Sequence, residues 1–310
     1  MKKENSKLLW GALALLVTSI WGITFISMKV ATAHFTPPQV MLIRCIIAYI
    51  ALLILHPKFY KVESLKQELI YFFAGLCGTT LYVILINSSY SFTQVANVSV
   101  LASLSPIFIA LLTPLFFRGS KVNKIVFVGF AIAVLGTVCI ATNGKFAMTL
   151  SLKGDSLALC AAVIWACYSL CLKKSETKLP QLYVTRRIFL YGILAVIPVI
   201  LISGDPINWS ALKEPSVLLN MLFLGLIAYV GCHVTIALVI RHMGAVWTSK
   251  FSYLEPVVTI IFSAIFLHEQ ITLYKVIGTV LILFGVMVAD GLFTKKKAAA
   301  VPEAAEAAEK

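Results

Sequence analysis

Negative charge is what this chain has least of. Its 310 residues hold 13 Asp+Glu against 26 Lys+Arg, and charged residues of both signs together reach only 13%, where soluble proteins carry about 25%. With 60% apolar residues and a mean hydropathy of +0.95, there is too little polar surface to cover a water-soluble fold. The glycines form no phosphate-binding loop, and no G-x-S-x-G elbow and no H-E-x-x-H pair occurs, so ATP hydrolysis, ester hydrolysis and zinc proteolysis within this chain lack support. An enzyme is not expected, and no cofactor is implied. Cysteine is missing from every linker: Cys45, Cys77, Cys139, Cys160, Cys167, Cys171 and Cys232 all fall inside apolar runs and read as small core residues. Cys167 and Cys171 share a helix face without further ligands, so no metal site is expected. The net charge of +13 lies in the gaps between apolar runs, which is a membrane-topology pattern rather than a nucleic-acid surface.

What is there instead is a series of apolar runs long enough for helices that cross the roughly 30 Å hydrocarbon layer. They cover Leu8–Ala31, Gln39–Leu55, Gln67–Asn87, Val95–Phe117, Val122–Thr142, Gly154–Leu172, Tyr183–Ser203, Ser216–Ile240, Ala245–Leu267 and Thr272–Phe293. Unbroken runs exclude a barrel, whose strands alternate in polarity. The first run follows Lys2, Lys3 and Lys7 and ends near Ala31-Thr32-Ala33, as a secretory signal would. At 24 residues it exceeds the about 7–15 of a signal core and reads as a retained span. Residues 294–310 read as a disordered tail. If the spans alternate sides, 19 Lys and Arg collect on the side of the N-terminus and three (Lys145, Lys153, Lys213) on the other, which places both termini in the cytoplasm.

The chain also repeats itself. Trp21…Lys29 matches Trp165…Lys173, and Pro38-Gln39…Arg44…Tyr49 matches Pro180-Gln181…Arg186…Tyr191. Gly75 matches Gly225, Leu104-x-Pro106 matches Leu254-x-Pro256, and Gly129…Gly136 matches Gly278…Gly285. Five spans per half is an odd number, so the second half enters the membrane from the other side. The expected fold is an all-α integral membrane protein of ten transmembrane helices in two inverted five-helix repeats, 1–143 and 154–293, with a central site at their interface near the midplane.

Charges inside such spans are expensive and carry function by default. Glu255 heads the candidates, followed by Pro256 and on a helical stripe with Thr248, Phe251 and Thr259. Lys250 reads either as a substrate-facing cation or as a snorkelled anchor. His233, one turn after Tyr229, reads either as a packing histidine or as a proton carrier. Arg44 and its repeat partner Arg186 are gate or anchor candidates, Arg186 equally an interfacial contact to lipid head groups. Trp21, Trp165, Tyr82 and Tyr229 bring aromatic groups to span interiors, as do Tyr168 and Tyr253, with Asn87 adding an amide. The glycines at seven-residue spacing, Gly129/Gly136 and Gly278/Gly285, let helices approach closely, within the chain or across a homodimer.

The Trp21-Gly22…Phe25…Lys29 start, Pro38…Arg44, and the run Leu254-Glu255-Pro256…Leu267-His268-Glu269…Gly278…Leu281-Ile282…Gly285 resemble the EamA-type transporters of the drug/metabolite transporter superfamily, over about residues 8–293. The first half departs from the pattern, with Ser105 where Glu255 maps and Arg118–Ser120 near the place of Glu269. The resemblance implies a plasma-membrane (bacterial inner-membrane) secondary carrier, often an exporter of amino acids or other metabolites. Its cavity would be lined by spans one to four and six to nine and buttressed by spans five and ten. The expected function is alternating-access transport of a small metabolite such as an amino acid, driven by an ion gradient, with protons a candidate, or by the solute's own gradient. Efflux of lipophilic cationic drugs, and a membrane binding protein without transport, stand as alternatives.

Overall fold

The computed structural model describes residues 2–117, 122–142, 151–174, 179–243, 251, 254–289 and 291, and they form helices with no strand among them. In chain order these are α1 (Lys2–Ala31), α2 (Pro37–Leu55), α3 (Leu65–Gly75), α4 (Tyr82–Ser89), α5 (Val95–Ala102), α6 (Ser105–Phe116), α7 (Lys124–Thr142), α8 (Leu152–Lys174), α9 (Gln181–Ser203), α10 (Pro215–Leu222), α11 (Cys232–Met243), α12 (Glu255–Phe266) and α13 (Leu273–Ala289). Two π-helical segments, Leu76–Leu81 and Phe223–Gly231, join α3 to α4 and α10 to α11. Seven continuous helical stretches are long and apolar enough to cross a membrane, and three further apolar helices, Lys124–Ile140, Glu255–Phe266 and Leu273–Ala289, are shorter. Lys250, Thr248, Tyr253 and the tail 294–310 lie outside the described residues.

Local sequence sets the helix ends. Thr36 precedes Pro37 and Pro38, and Gln39 Oε1 accepts the Thr36 backbone N–H at 3.1 Å in a capping box. The same helix stops at Leu55, two residues before Pro57. Ser64 caps α3 by accepting the Gln67 N–H, and α9 ends where Gly204 takes a left-handed φ of 69°. Pro106 and Pro256 sit in the first turns of α6 and α12, where a missing N–H costs nothing. Within the stretch Val95–Phe116 the helical pattern resets at Ser103–Leu104, between α5 and α6, just before Pro106, and Pro215–Ile236 carries a π segment.

α7 and α13 pack on each other along most of their length. A Cβ on Gly129 would collide with the Gly285 carbonyl, and one on Gly136 would stand 2.6 Å from the Gly278 carbonyl. The glycine seam is thus consumed within one chain and leaves no small-residue face as an argument for a dimer. All seven cysteines are free.

The Leu267-His268-Glu269 stretch has a structural use. His268 adopts φ 54°, a conformation rare outside glycine, in the turn between α12 and α13. Glu269 there accepts the N–H groups of Val95 (2.8 Å) and Ala96 (3.2 Å) at the start of α5. Lys275 beside it donates to Gln94 Oε1 and to the Gln270 carbonyl. A carboxylate on the free donors of a helix N-terminus is stabilised by both hydrogen bonds and dipole. Glu269→Ala is expected to lower stability by about 1–2 kcal/mol, read as a fall in the melting temperature of purified protein.

Candidate functional site

Candidate residues from six separate stretches (α1, α2, α4, α8, the second π segment with α11, and α12) come together. Arg44 enters from the second turn of α2, is 3% exposed, and lays its guanidinium 3.9 Å from the centroid of the Tyr229 ring. Its Nη1 lies 3.4 Å from Met28 Sδ, and its Nε is buried with no acceptor. Among the described residues no carboxylate pairs with it. A buried guanidinium normally uses its fork of donors on oxygen acceptors. Its described neighbours here are the Tyr229 side chain, the Met28 thioether and the Cys45 thiol, none of them an oxyanion.

Tyr229, in the second π segment, also stacks on Phe189 of α9 with ring centroids 4.9 Å apart. His233 follows one turn on, and its Nδ1 lies 2.7 Å from the Tyr229 carbonyl. A carbonyl only accepts, so Nδ1 carries the proton and the lone pair is on Nε2. The imidazole meets Trp21 edge-on at 5.8 Å, and Trp21 Nε1 donates to the Ala228 carbonyl at 3.3 Å. On the other side, Trp165 of α8 contacts Tyr82 (4.8 Å) and Tyr168 (4.9 Å). Gly78 in the first π segment makes room for the Tyr168 ring, which a Cβ there would strike. Trp21 thus sits against one π segment and Trp165 beside the other. Trp21, Tyr82, Trp165, Tyr229 and His233 are each half-buried, as cavity walls are.

Glu255 is the first residue of α12 and is half-buried. Of the expected stripe, Thr259 lies one turn on in α12, and Thr248 lies outside the described residues. Thr259 is turned away: fully buried, its hydroxyl is shared between the Gly22 and Glu255 carbonyls at 3.0 Å each, fixing α12 on α1. The Glu255 carboxyl has no hydrogen bond or ion pair among the described residues. It acts electrostatically on the Tyr82 and Tyr90 phenols, which also feel Arg44. Among the described residues the site therefore holds one cation without a carboxylate and one carboxyl without a cation, both beside aromatic rings.

Arg186 is placed differently from its repeat partner. It is 2% exposed and donates to the His56 and Lys58 carbonyls just past the end of α2, with its guanidinium over Phe59. Beside it Arg187 forms an ion pair with Glu68 of α3 at 2.5 Å, and Tyr191 donates to the same carboxylate. At the other end of the bundle Gln39 donates to the Asp205 and Pro206 carbonyls (3.2 and 3.4 Å), just past the end of α9. α2 and α9 thus each hold the segment that follows the other.

Tyr90, Met28 and Phe189 are site neighbours that the sequence reading passes over. Tyr90 is 2% exposed, its hydroxyl has no partner, and its carbonyl accepts from Lys29 Nζ at 2.6 Å. It follows a helix that ends at Ser89, and in the sequence only its place at the head of the polar Tyr90-Ser91-Phe92-Thr93 stretch sets it apart.

The EamA-like transporter family model matches residues 8–142 and 152–289. An uncharacterized transporter of Archaeoglobus fulgidus is 27% identical over 90% of this chain and 97% of its own length. A Salmonella typhimurium protein named "Probable amino-acid metabolite efflux pump" is 25% identical over 90% and 93%. One solved crystal structure superposes with a TM-score of 0.61 at 21% identity, covering 93% of this chain and 97% of that one, which shows a shared fold. The chain belongs to the EamA-like transporter family: it is a multi-pass membrane transporter of a small molecule, not an enzyme.

Proposed function

We propose that the chain is a secondary carrier of the plasma membrane that exports a small zwitterionic metabolite, an amino acid in the first instance, by alternating access. The observation that carries this reading is the Arg44 guanidinium, buried with an unmatched donor and no carboxylate. Such a group is a site for the carboxylate of a solute. Glu255 takes the amine or exchanges a proton for it, and Trp21, Tyr82, Trp165 and Tyr229 enclose the side chain. The relatives named amino-acid metabolite efflux pumps in Salmonella typhimurium and Escherichia coli agree with this substrate class.

The architecture belonging to this reading is ten spans in two inverted repeats, 1–143 and 154–293, with both termini cytoplasmic. Support comes from the two π segments, the two Trp residues placed beside them, and the reciprocal contacts of α2 and α9. Alternating access then opens one set of those contacts while the other holds. Arg186, with the Arg187–Glu68–Tyr191 cluster, closes the cytoplasmic end, and Gln39 on Asp205 and Pro206 closes the outer end.

A second reading, efflux of lipophilic cations, rests on the unpaired Glu255 carboxyl beside an aromatic box, which also suits a cation. A panel of amino acids, other zwitterions and lipophilic cations, scored by thermal stabilisation of purified protein, separates the two. A ligand that binds only the folded state at 100 Kd adds about 2.7 kcal/mol. Stabilisation by cations alone overturns the first reading. Failure of any stabilising solute to cross proteoliposome membranes overturns transport by this site altogether.

A further inference from the structure

We infer that the groove between α3 and α8 is a binding site for one anionic phospholipid of the cytoplasmic leaflet. It is a cavity of about 630 Å³ lined by Phe73 of α3, Cys77 of the π segment that continues it, Phe116 of α6, and Cys167 and Cys171 of α8, with Lys66 and Lys174 also in the lining. That volume is in the range of about 300–1,000 Å³ typical of ligand pockets. Its lining contains none of Arg44, Trp21, Tyr82, Trp165, Tyr229, His233 or Glu255, and the inference does not depend on which solute is carried.

The geometry selects the occupant. α3 and α8 run in opposite directions along the groove, so that Lys66 at the start of one and Lys174 at the end of the other fall at the same end. Both are exposed. From Lys66 to Cys77 is 77 − 66 = 11 residues, roughly 16 Å at 1.5 Å per residue, which is close to half of the about 30 Å hydrocarbon layer. The cationic end therefore lies at head-group depth when the apolar end reaches the midplane. The walls between are apolar and outward-facing, with Phe73 50% exposed. This is the shape of one acyl chain with a phosphodiester above it, and paired lysines select a net negative head group over a zwitterionic one.

A second copy of this chain fits poorly. An isologous contact places a patch against itself, and Lys66 and Lys174 would then meet their own counterparts without a counter-charge. The leaflet also agrees with the positive-inside pattern, since Lys66 and Lys174 belong to the 19 Lys and Arg on the N-terminal side.

The three groove cysteines are free and report occupancy directly. Full-length protein is reconstituted in phosphatidylcholine bilayers with increasing dioleoyl phosphatidylglycerol and treated with a membrane-permeant maleimide. Labelling of each cysteine is followed by peptide mass spectrometry. Rates at Cys77, Cys167 and Cys171 should fall at least about fivefold with phosphatidylglycerol, the effect of about one favourable lysine contact. Cys160, exposed on α8 outside the groove, serves as the control and should keep its rate. K66Q/K174Q should abolish the head-group dependence and K66R/K174R should preserve it. Equal protection in pure phosphatidylcholine overturns the proposal in the wild type alone, whatever the variants do. Undiminished dependence on phosphatidylglycerol in a folded K66Q/K174Q overturns it as well, and so does protection that tracks a doubling of protein mass, which assigns the groove to a second copy.

Discussion

Arg44→Gln is expected to abolish saturable binding of carboxylate-bearing solutes while leaving the empty protein at least as stable as the wild type. Two effects of opposite sign meet at this position. In the empty protein the guanidinium is 3% exposed, rests on Tyr229 and Met28, and keeps Nε without an acceptor. A buried charge without a counter-charge costs several kcal/mol, so its removal relieves the fold. In the loaded protein the same group would meet a carboxylate in a desolvated site, where losing one partner costs about 2–5 kcal/mol, or about 30- to 5,000-fold in Kd. Arg44→Lys should rescue little, since an ammonium cannot lie flat on the Tyr229 ring and still present two parallel N–H groups. Titration of the melting temperature against solute concentration measures both effects at once. A variant that is destabilised when empty but binds with wild-type affinity would make Arg44 a structural arginine, as Arg186 is.

That comparison shows how far the sequence could be read. Arg44 and Arg186 are equivalent in the repeat, and spacing alone assigns them one role. The outcome turns on partners that spacing does not contain. Arg186 reaches the carbonyls of His56 and Lys58 across about 130 residues of chain, whereas Arg44 is offered the Tyr229 side chain and the sulfurs of Met28 and Cys45. Apolar runs and interior charges were legible because lipid penalises every departure from them. The face each helix turns inward was less legible, since a helix that is apolar all round gives lipid and core the same sequence. Tyr90 and Met28 were missed for that reason. The π segments left no trace either: Leu76–Leu81 and Phe223–Gly231 read as ordinary helix, though Tyr229 lies in the second and Tyr82 directly follows the first. Glu269 drew notice as part of a motif, but its work as the cap of α5, 174 residues away in sequence, exists only in the folded chain.

Glu255→Gln is expected to uncouple transport from the pH gradient without stopping exchange of solute for solute. Glu255 is the carboxyl that borders the aromatic box, half-buried at the first turn of α12 and without a partner among the described residues. Its anionic form gains from the helix dipole and loses from burial. A carboxyl without a fixed cation is free to alternate between its acid and its carboxylate, whereas Glu68 in its ion pair with Arg187 is committed to the carboxylate. For an exporter that takes in one proton per solute, a proteoliposome one pH unit more acidic inside loses protons outward and gains solute, up to a ratio of about ten, since one unit is 1.36 kcal/mol. In Glu255→Gln the amide cannot release a proton, and the ratio should fall to one, equal to that without a gradient. Gln is isosteric and keeps a carbonyl toward the solute's amine, so counterflow should persist at a reduced rate. A variant that still concentrates solute about tenfold under the same gradient would remove Glu255 from proton coupling. Loss of counterflow together with binding would assign the carboxylate to the solute's amine instead, leaving His233, with its unprotonated Nε2, as the group to test next for the proton.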